Sequence, residues 1–161
     1  MQNNPEIEYL VEQALAIARG KKHEYIVTEH LLMSMVRYEP FRKTLDKFGV
    51  EVDMLDQELD AYLDSLISLV KDIDDLQPKK TTALERIFNR ANVQVMFTGR
   101  RQVTTIDLYL SICSEGESHA QYFLLKYGVV KNEFVAHWQK TYKGGDFSAI
   151  NDSQADEILE E

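Results

Sequence analysis

Apolar residues recur at helical spacing along almost the whole chain. Ile7, Leu10, Val11, Ala14, Leu15 and Ala18 fall at i, i+3, i+4 and i+7, which turns one helix face toward a core. Gly20 is expected to stop that helix in a left-handed conformation. Thr28 is placed to cap a second helix carrying Leu31, Leu32, Met35 and Val36, with Pro40 beyond it. Leu45 and Phe48 make a third, short helix that stops at Gly49, and Leu55, Leu59, Tyr62, Leu63, Leu66 and Ile67 make a fourth. From Lys71 to Lys80 no apolar face is sustained, and the stretch reads as a linker. Thr82-x-x-Glu85 then forms a capping box. Behind it, Leu84, Ile87, Phe88, Ala91 and Val95 rebuild the stripe of the first helix.

That rebuilt stripe is a repeat. With a shift of 77, Ala14 falls on Ala91, Thr28 on Thr105, Leu31 on Leu108 and Ser34 on Ser111. After a two-residue gain, Leu45 falls on Leu124, Lys47 on Lys126, Gly49 on Gly128 and Val50 on Val129. A period of this size means a duplicated unit, not a solenoid of short repeats. The expected fold is all-α: two tandem, pseudo-symmetric four-helix repeats packed into one domain over about residues 3–140. The first repeat covers about 3–70, the linker 71–80 and the second repeat about 81–140, with a polar, acidic, flexible tail at 141–161.

Composition narrows the function. Hydrophobic residues make up 44% of the 161 residues and charged residues 28%, as in a globular domain and not a disordered chain. No apolar run reaches the roughly 18 residues of a membrane span, and MQNNPEIEYL lacks the basic-then-apolar order of a secretory signal. The single cysteine, Cys113, forms no intrachain disulfide, so a cytoplasmic location is expected. A net charge of −9 disfavours phosphate backbones, whose binding rests on lysine and arginine. Protein partners are expected instead of nucleic acid or membrane.

The stretch KKHEYIVTEHLL, residues 21–32, carries the densest chemistry. His23, Glu24, Glu29 and His30 do not match H-E-x-x-H, because the histidines stand seven apart with a β-branched run between them. No nucleophile serves them either, so no enzyme activity is expected. His23 with a nearby carboxylate suits an adventitious zinc, but four ligands at a set spacing are missing and no structural metal is expected. His30 falls on Asp107 of the second copy, so a buried histidine bonded to the backbone is its expected state. Cys113 falls on Val36, and Trp138 on Leu59, marking both as core positions.

The duplicated unit and the signature HEYIVTEHLL resemble the Clp N-terminal repeat domain, over about residues 3–140. SEGESHAQYFLLKYGV, residues 114–129, is similar to the ClpA-type unfoldases of that family. The resemblance implies a regulatory N-terminal module of an ATP-driven ring hexamer that feeds the ClpP protease through its motor domains. Such a module docks the adaptor ClpS, which delivers substrates bearing destabilising N-terminal residues. Carried over by position, the adaptor-binding residues are Glu24, Glu29, Thr81 and Arg86. Their plain alternatives are a solvated pair flanking a helix start, a helix-start residue beside the Thr82 cap, and a solvated arginine. No G-x-x-x-x-G-K-[ST] phosphate loop occurs, so no nucleotide or other cofactor is expected, and the isolated chain should be a monomer. A free-standing module acting as a decoy or inhibitor of the adaptor or of the ring is the alternative.

Overall fold

The computed structural model describes residues 4–141, so the expected tail lies outside the described residues but for Thr141. Eight α-helices occur among them: α1 Pro5–Gly20, α2 Thr28–Arg37, α3 Glu39–Phe48, α4 Val52–Asp64, α5 Thr82–Phe97, α6 Thr105–Cys113, α7 His119–Lys126 and α8 Lys131–Thr141. Shifting α1 and α2 by 77 lands on the first residues of α5 and α6, and shifting α4 by 79 lands on the first residue of α8. The all-α, duplicated four-helix architecture is therefore the one the spacing predicts.

Each copy is built around its second helix. Every residue from Thr28 to Val36 in α2 is buried, as are Thr105 to Tyr109, Ser111 and Ile112 in α6. A helix buried on all sides belongs at the centre of a bundle. Small residues on the helix ahead of it, Ala14 and Ala18 in α1 and Ala91 in α5, permit close approach. The copies join through aromatic rings. Phe41 of α3 meets Phe134 and Trp138 of α8 at centroid distances of 5.6 Å each, and Tyr109 of α6 at 6.3 Å. Trp138 is thus core as expected, while Cys113 is only half-buried at the edge of that core.

Three local expectations are corrected. Gly20 ends α1 without a left-handed turn; Lys22 takes the positive φ, 60°, at the position matching Gly99 with φ 79°. The N-cap of α5 is Thr81, not Thr82, its Oγ1 accepting from Leu84 N–H at 3.2 Å. Thr28 is the first residue of α2, whose N-cap is Val27. The stretch 71–80, read as a linker, also contributes structure. Strand β2, Lys79–Lys80, pairs in parallel with β1, Tyr25–Ile26, while Lys71 N–H donates to the Lys22 carbonyl.

Gly49 and Gly128, matched by the 79 shift, close α3 and α7 at φ 100° and 82°. Nothing lies within 4 Å of a Cβ added at either. Gly49→Ala and Gly128→Ala should therefore pay only the left-handed backbone cost, about 1 kcal/mol each, read from urea unfolding.

Candidate functional site

The chain from Lys21 to Thr28 leaves α1, passes through β1 and enters the buried α2. Its backbone is held on both sides: Glu24 N–H donates to the Leu69 carbonyl at 2.8 Å, and Lys79 N–H to the Glu24 carbonyl at 3.0 Å. Thr81 closes the junction, its N–H and Oγ1–H both donating to the Ile26 carbonyl at 3.2 and 3.1 Å. Glu24 and Thr81, 57 positions apart in sequence, thus flank one small sheet. The Glu24 side chain is 33% exposed, with Lys71 Nζ at 3.4 Å, and Tyr25 beside it is exposed. The outcome is a surface made from both copies, on which Glu24 and Tyr25 stand among the exposed Lys71, Lys79 and Lys80.

Glu29 lies elsewhere. It was expected as an exposed charge, but it is 6% exposed and its Oε2 accepts the Ala120 N–H at 2.8 Å, at the start of α7. Burial pushes its carboxyl above the usual carboxylate range, opposed by that backbone bond. A carboxylate belongs at a helix N-terminus, where the first N–H groups have no partner in the helix. His119 of the same turn stacks on Tyr62 at 4.5 Å. Arg86 is exposed on α5 and grips Glu115 through two bonds of 3.0 and 2.7 Å; Arg90 adds a third. The Arg86 contact above all, with Arg90, holds the Glu115 carboxyl down to about 2.

The two histidines of KKHEYIVTEHLL form one buried unit. Val27 N–H donates to His30 Nδ1 at 2.8 Å, so the His30 proton sits on Nε2. That Nε2 faces His23 Nδ1 at 2.9 Å and donates to it, leaving His23 protonated on Nε2. Both rings are neutral, and His23 and His30 are 1% and 0% exposed. His23 therefore engages His30 and not a carboxylate; no group of three or more candidate metal ligands occurs among the described residues.

The 77 shift places His23 on Arg100 and His30 on Asp107. In the second copy Asp107 Oδ2 accepts the Thr104 N–H at 2.8 Å, the counterpart of the Val27 bond, while Arg100 pairs with both Asp107 oxygens at 3.0 and 2.6 Å. Histidine Nδ1 and aspartate Oδ stand the same number of bonds from the backbone, so either can accept the N-cap N–H. One copy uses a neutral histidine pair where the other uses an ion pair.

The model of the Clp repeat (R) N-terminal domain matches residues 4–127. The chain belongs to that family. A Clp repeat relative, the "ClpA homolog protein" of Fuscovulum blasticum, is 29% identical over 135 residues, covering 81% of this chain and 17% of the relative. The chain thus spans less than a fifth of that relative's length. The N-terminal domain of the ClpV1 ATPase from E. coli superposes with a TM-score of 0.71 at 15% identity, covering 89% of this chain and 87% of that one. A ClpV N-domain solved in complex with a VipB peptide superposes with a TM-score of 0.62 at 17% identity, covering 84% of each chain. At these identities the structural matches establish the shared fold. No helix among the described residues is long and apolar enough to cross a membrane.

Two outcomes test the histidine unit of this Clp repeat domain. His30→Asp alone buries a carboxylate without its cation, and His23→Arg alone buries a cation without its carboxylate. Each should cost about 3 kcal/mol or more, and the double change should recover most of that loss in a urea double-mutant cycle.

The second outcome concerns pH. Burial lowers both histidines, His30 to about 3, with the neighbouring His23 and Lys21 adding to its shift. Between pH 6.5 and about 3 the unfolded chain binds more protons, so stability falls as pH falls. The slope is up to ~1.4 kcal/mol per pH unit for His30. Glu29 opposes it: its raised folded value makes stability rise as pH drops through that value toward 4.5. Glu115, lowered, adds a further loss from pH 4.5 down to about 2. In the His23→Arg/His30→Asp protein, urea midpoints between about pH 6.5 and 5 should lose the parent's histidine slope.

Proposed function

We propose that this domain is the docking module of a ClpA-type ATP-driven unfoldase, recruiting a ClpS-type adaptor and, with it, protein substrates. Family membership and the small share of the ClpA homolog that the chain spans support the reading. The complex of a ClpV N-domain with a VipB peptide is a second support, since that fold there carries a peptide partner. The observation that carries the proposal here is the small parallel sheet between the two copies, with Glu24 and Tyr25 at one end and Thr81 bonded to Ile26 at the other. Assembly into a hexamer and delivery to ClpP, in the cytoplasm, would be properties of the whole protein through its motor domains.

On this reading the four residues divide their work. Glu24 would meet the adaptor directly, and Thr81 would fix the sheet edge beside it. Arg86 would extend the surface one turn along α5. Glu29 would act as a positioning residue, holding the start of α7 against α2.

Calorimetric titration with ClpS tests the proposal. Binding is expected, and no heat at tens of micromolar would refute it. Glu24→Lys should weaken binding about fivefold or more at low salt, chiefly by slowing association, with an unchanged melting temperature. Glu29→Lys should instead lower the melting temperature, because it buries a charge at a helix start that favours the opposite sign.

A further inference from the structure

One space is bridged in the first copy and open in the second. In the first copy α4 is tied to the ends of α1 and α2 by ion pairs: Lys21 Nζ meets Asp60 at 2.7 Å, and Arg37 Nε meets Asp56 at 2.7 Å. The shifts of 77 and 79 place Lys21 on Thr98, Arg37 on Ser114, Asp56 on Val135 and Asp60 on Gln139. None of these four bonds across. Thr98 Oγ1 turns back to the Gln94 and Val95 carbonyls at 3.1 Å each, and the Ser114 and Gln139 side chains bond to no described residue. A groove of about 480 Å³ stands open there between α5, α6 and α8, and all four replacements line it. That volume suits a small ligand or a few residues of a peptide.

The walls carry cations that the first copy lacks. Arg90, Arg100 and Lys131 line the groove where the matching positions hold Gln13, the neutral His23 and Val52. Asp107 is the one carboxylate among the lining residues, and Arg100 holds both its oxygens. Arg90 shares the single carboxylate of Glu115 with Arg86. Lys131 forms no ion pair with any described residue. The groove thus holds a surplus of positive charge on a chain whose net charge is −9. Arg90 is also fixed in place, its Nη1 donating to the Ser111 carbonyl and Oγ at 2.8 and 3.2 Å, so a ligand meets it already ordered. Gln94, Asn132 and Gln139 add amides that both donate and accept, as an extended main chain does. Leu110 and Val135 supply apolar surface.

We propose that this groove is a docking site for an acidic, extended segment of a partner protein, separate from the sheet that joins Glu24 to Thr81. The partner supplies the carboxylates that α4 provides in the first copy and α8 lacks, one for Lys131 and one for Arg90. Side chains alternate along an extended segment, so acidic residues meet the cations while small apolar ones between them rest on Leu110 and Val135. The amides of Gln94, Asn132 and Gln139 pair with the segment's main chain. A free inorganic anion answers only the charge and leaves the amides and the apolar surface unused.

Fluorescence anisotropy on the full chain tests this, with the fluorescein-labelled peptide Asp-Val-Glu-Ala-Asp-Val-Glu-Ala as probe. Saturable binding is expected at about 50 mM salt, at least about tenfold tighter than for the Asn/Gln counterpart and much weaker near 500 mM. Lys131→Glu should weaken it at least about fivefold, while Lys140→Glu, the same charge change on α8 outside the groove, should cost less than about twofold. Thr98→Lys/Ser114→Arg/Val135→Asp/Gln139→Asp rebuilds the ion pairs of the first copy without changing the net charge. That filled protein should keep its circular dichroism and lose the binding. No saturable binding by the parent, equal affinity for the Asn/Gln peptide, or full binding by a folded filled protein would overturn the proposal. Should the filled protein not fold, Lys131→Glu against Lys140→Glu decides, and equal effects overturn it. Displacement by inorganic phosphate as readily as by unlabelled peptide would also overturn it, as would a Lys131-dependent dimer in sedimentation, the occupant then being a second copy.

Discussion

A helix that begins inside a protein must find partners there for its first N–H groups. α2 and α6 are buried along nearly their whole length, so water cannot serve their N-termini, and the rest of the architecture answers that need. His30 accepts the N-cap N–H of α2, and Asp107 does the same for α6. Glu6 of α1 reaches across to the start of α6, its Oε2 accepting from Thr105 N–H and Oγ1–H at 2.8 and 2.7 Å. Glu29 does the equivalent for α7. The first copy thus lends two carboxylates to helix starts of the second. These bonds, more than the aromatic contacts, fix the angle at which the copies meet, because directional bonds fail on a small displacement where apolar packing readjusts.

Duplication preserved the scaffold and let its chemistry diverge. At one matched pair of positions a neutral histidine pair replaces an arginine–aspartate pair; at another, Lys22 carries a left-handed turn that Gly99 carries in the second copy. The surfaces diverged further. α1 exposes Glu8, Tyr9 and Glu12 and β1 lies among exposed lysines, while α5 presents apolar residues beside arginines. A domain with two unlike faces on one pseudo-symmetric frame is suited to separate contacts. The small sheet that joins Glu24 to Thr81 is where the copies contribute jointly to one of them.

Much of this was legible in the residues. The helical stripes, the 77 and 79 shifts, and the glycines that close α3 and α7 each follow from a local rule relating residue type to backbone conformation or to the buried face. Trp138 as core and His30 as a backbone-bonded histidine were readable through the duplication, which supplies each position with a second environment. Cap positions slipped by one residue twice: at Thr81 because adjacent threonines offer the same hydroxyl, and at Val27 because the His30 ring, not a hydroxyl, serves the start of α2.

Sequence alone determined that the chain is a duplicated all-helical unit, and which face of each helix is apolar. Tertiary structure decided which distant side chains meet. Glu29 looked like a solvent-facing charge beside its neighbour Glu24, yet it is buried because α7 brings an unpaired N–H to it from 91 positions away. Lys79 and Lys80 looked like linker and became a strand because the chain before α2 offered them free backbone groups. No sequence pattern pairs His119 and His137 of the second copy with the first, yet each faces it, at Tyr62 and at the Thr44 carbonyl. Helical periodicity fixes direction about one helix axis. The position of one helix against another depends on every side chain packed between them, and no local pattern carries that sum.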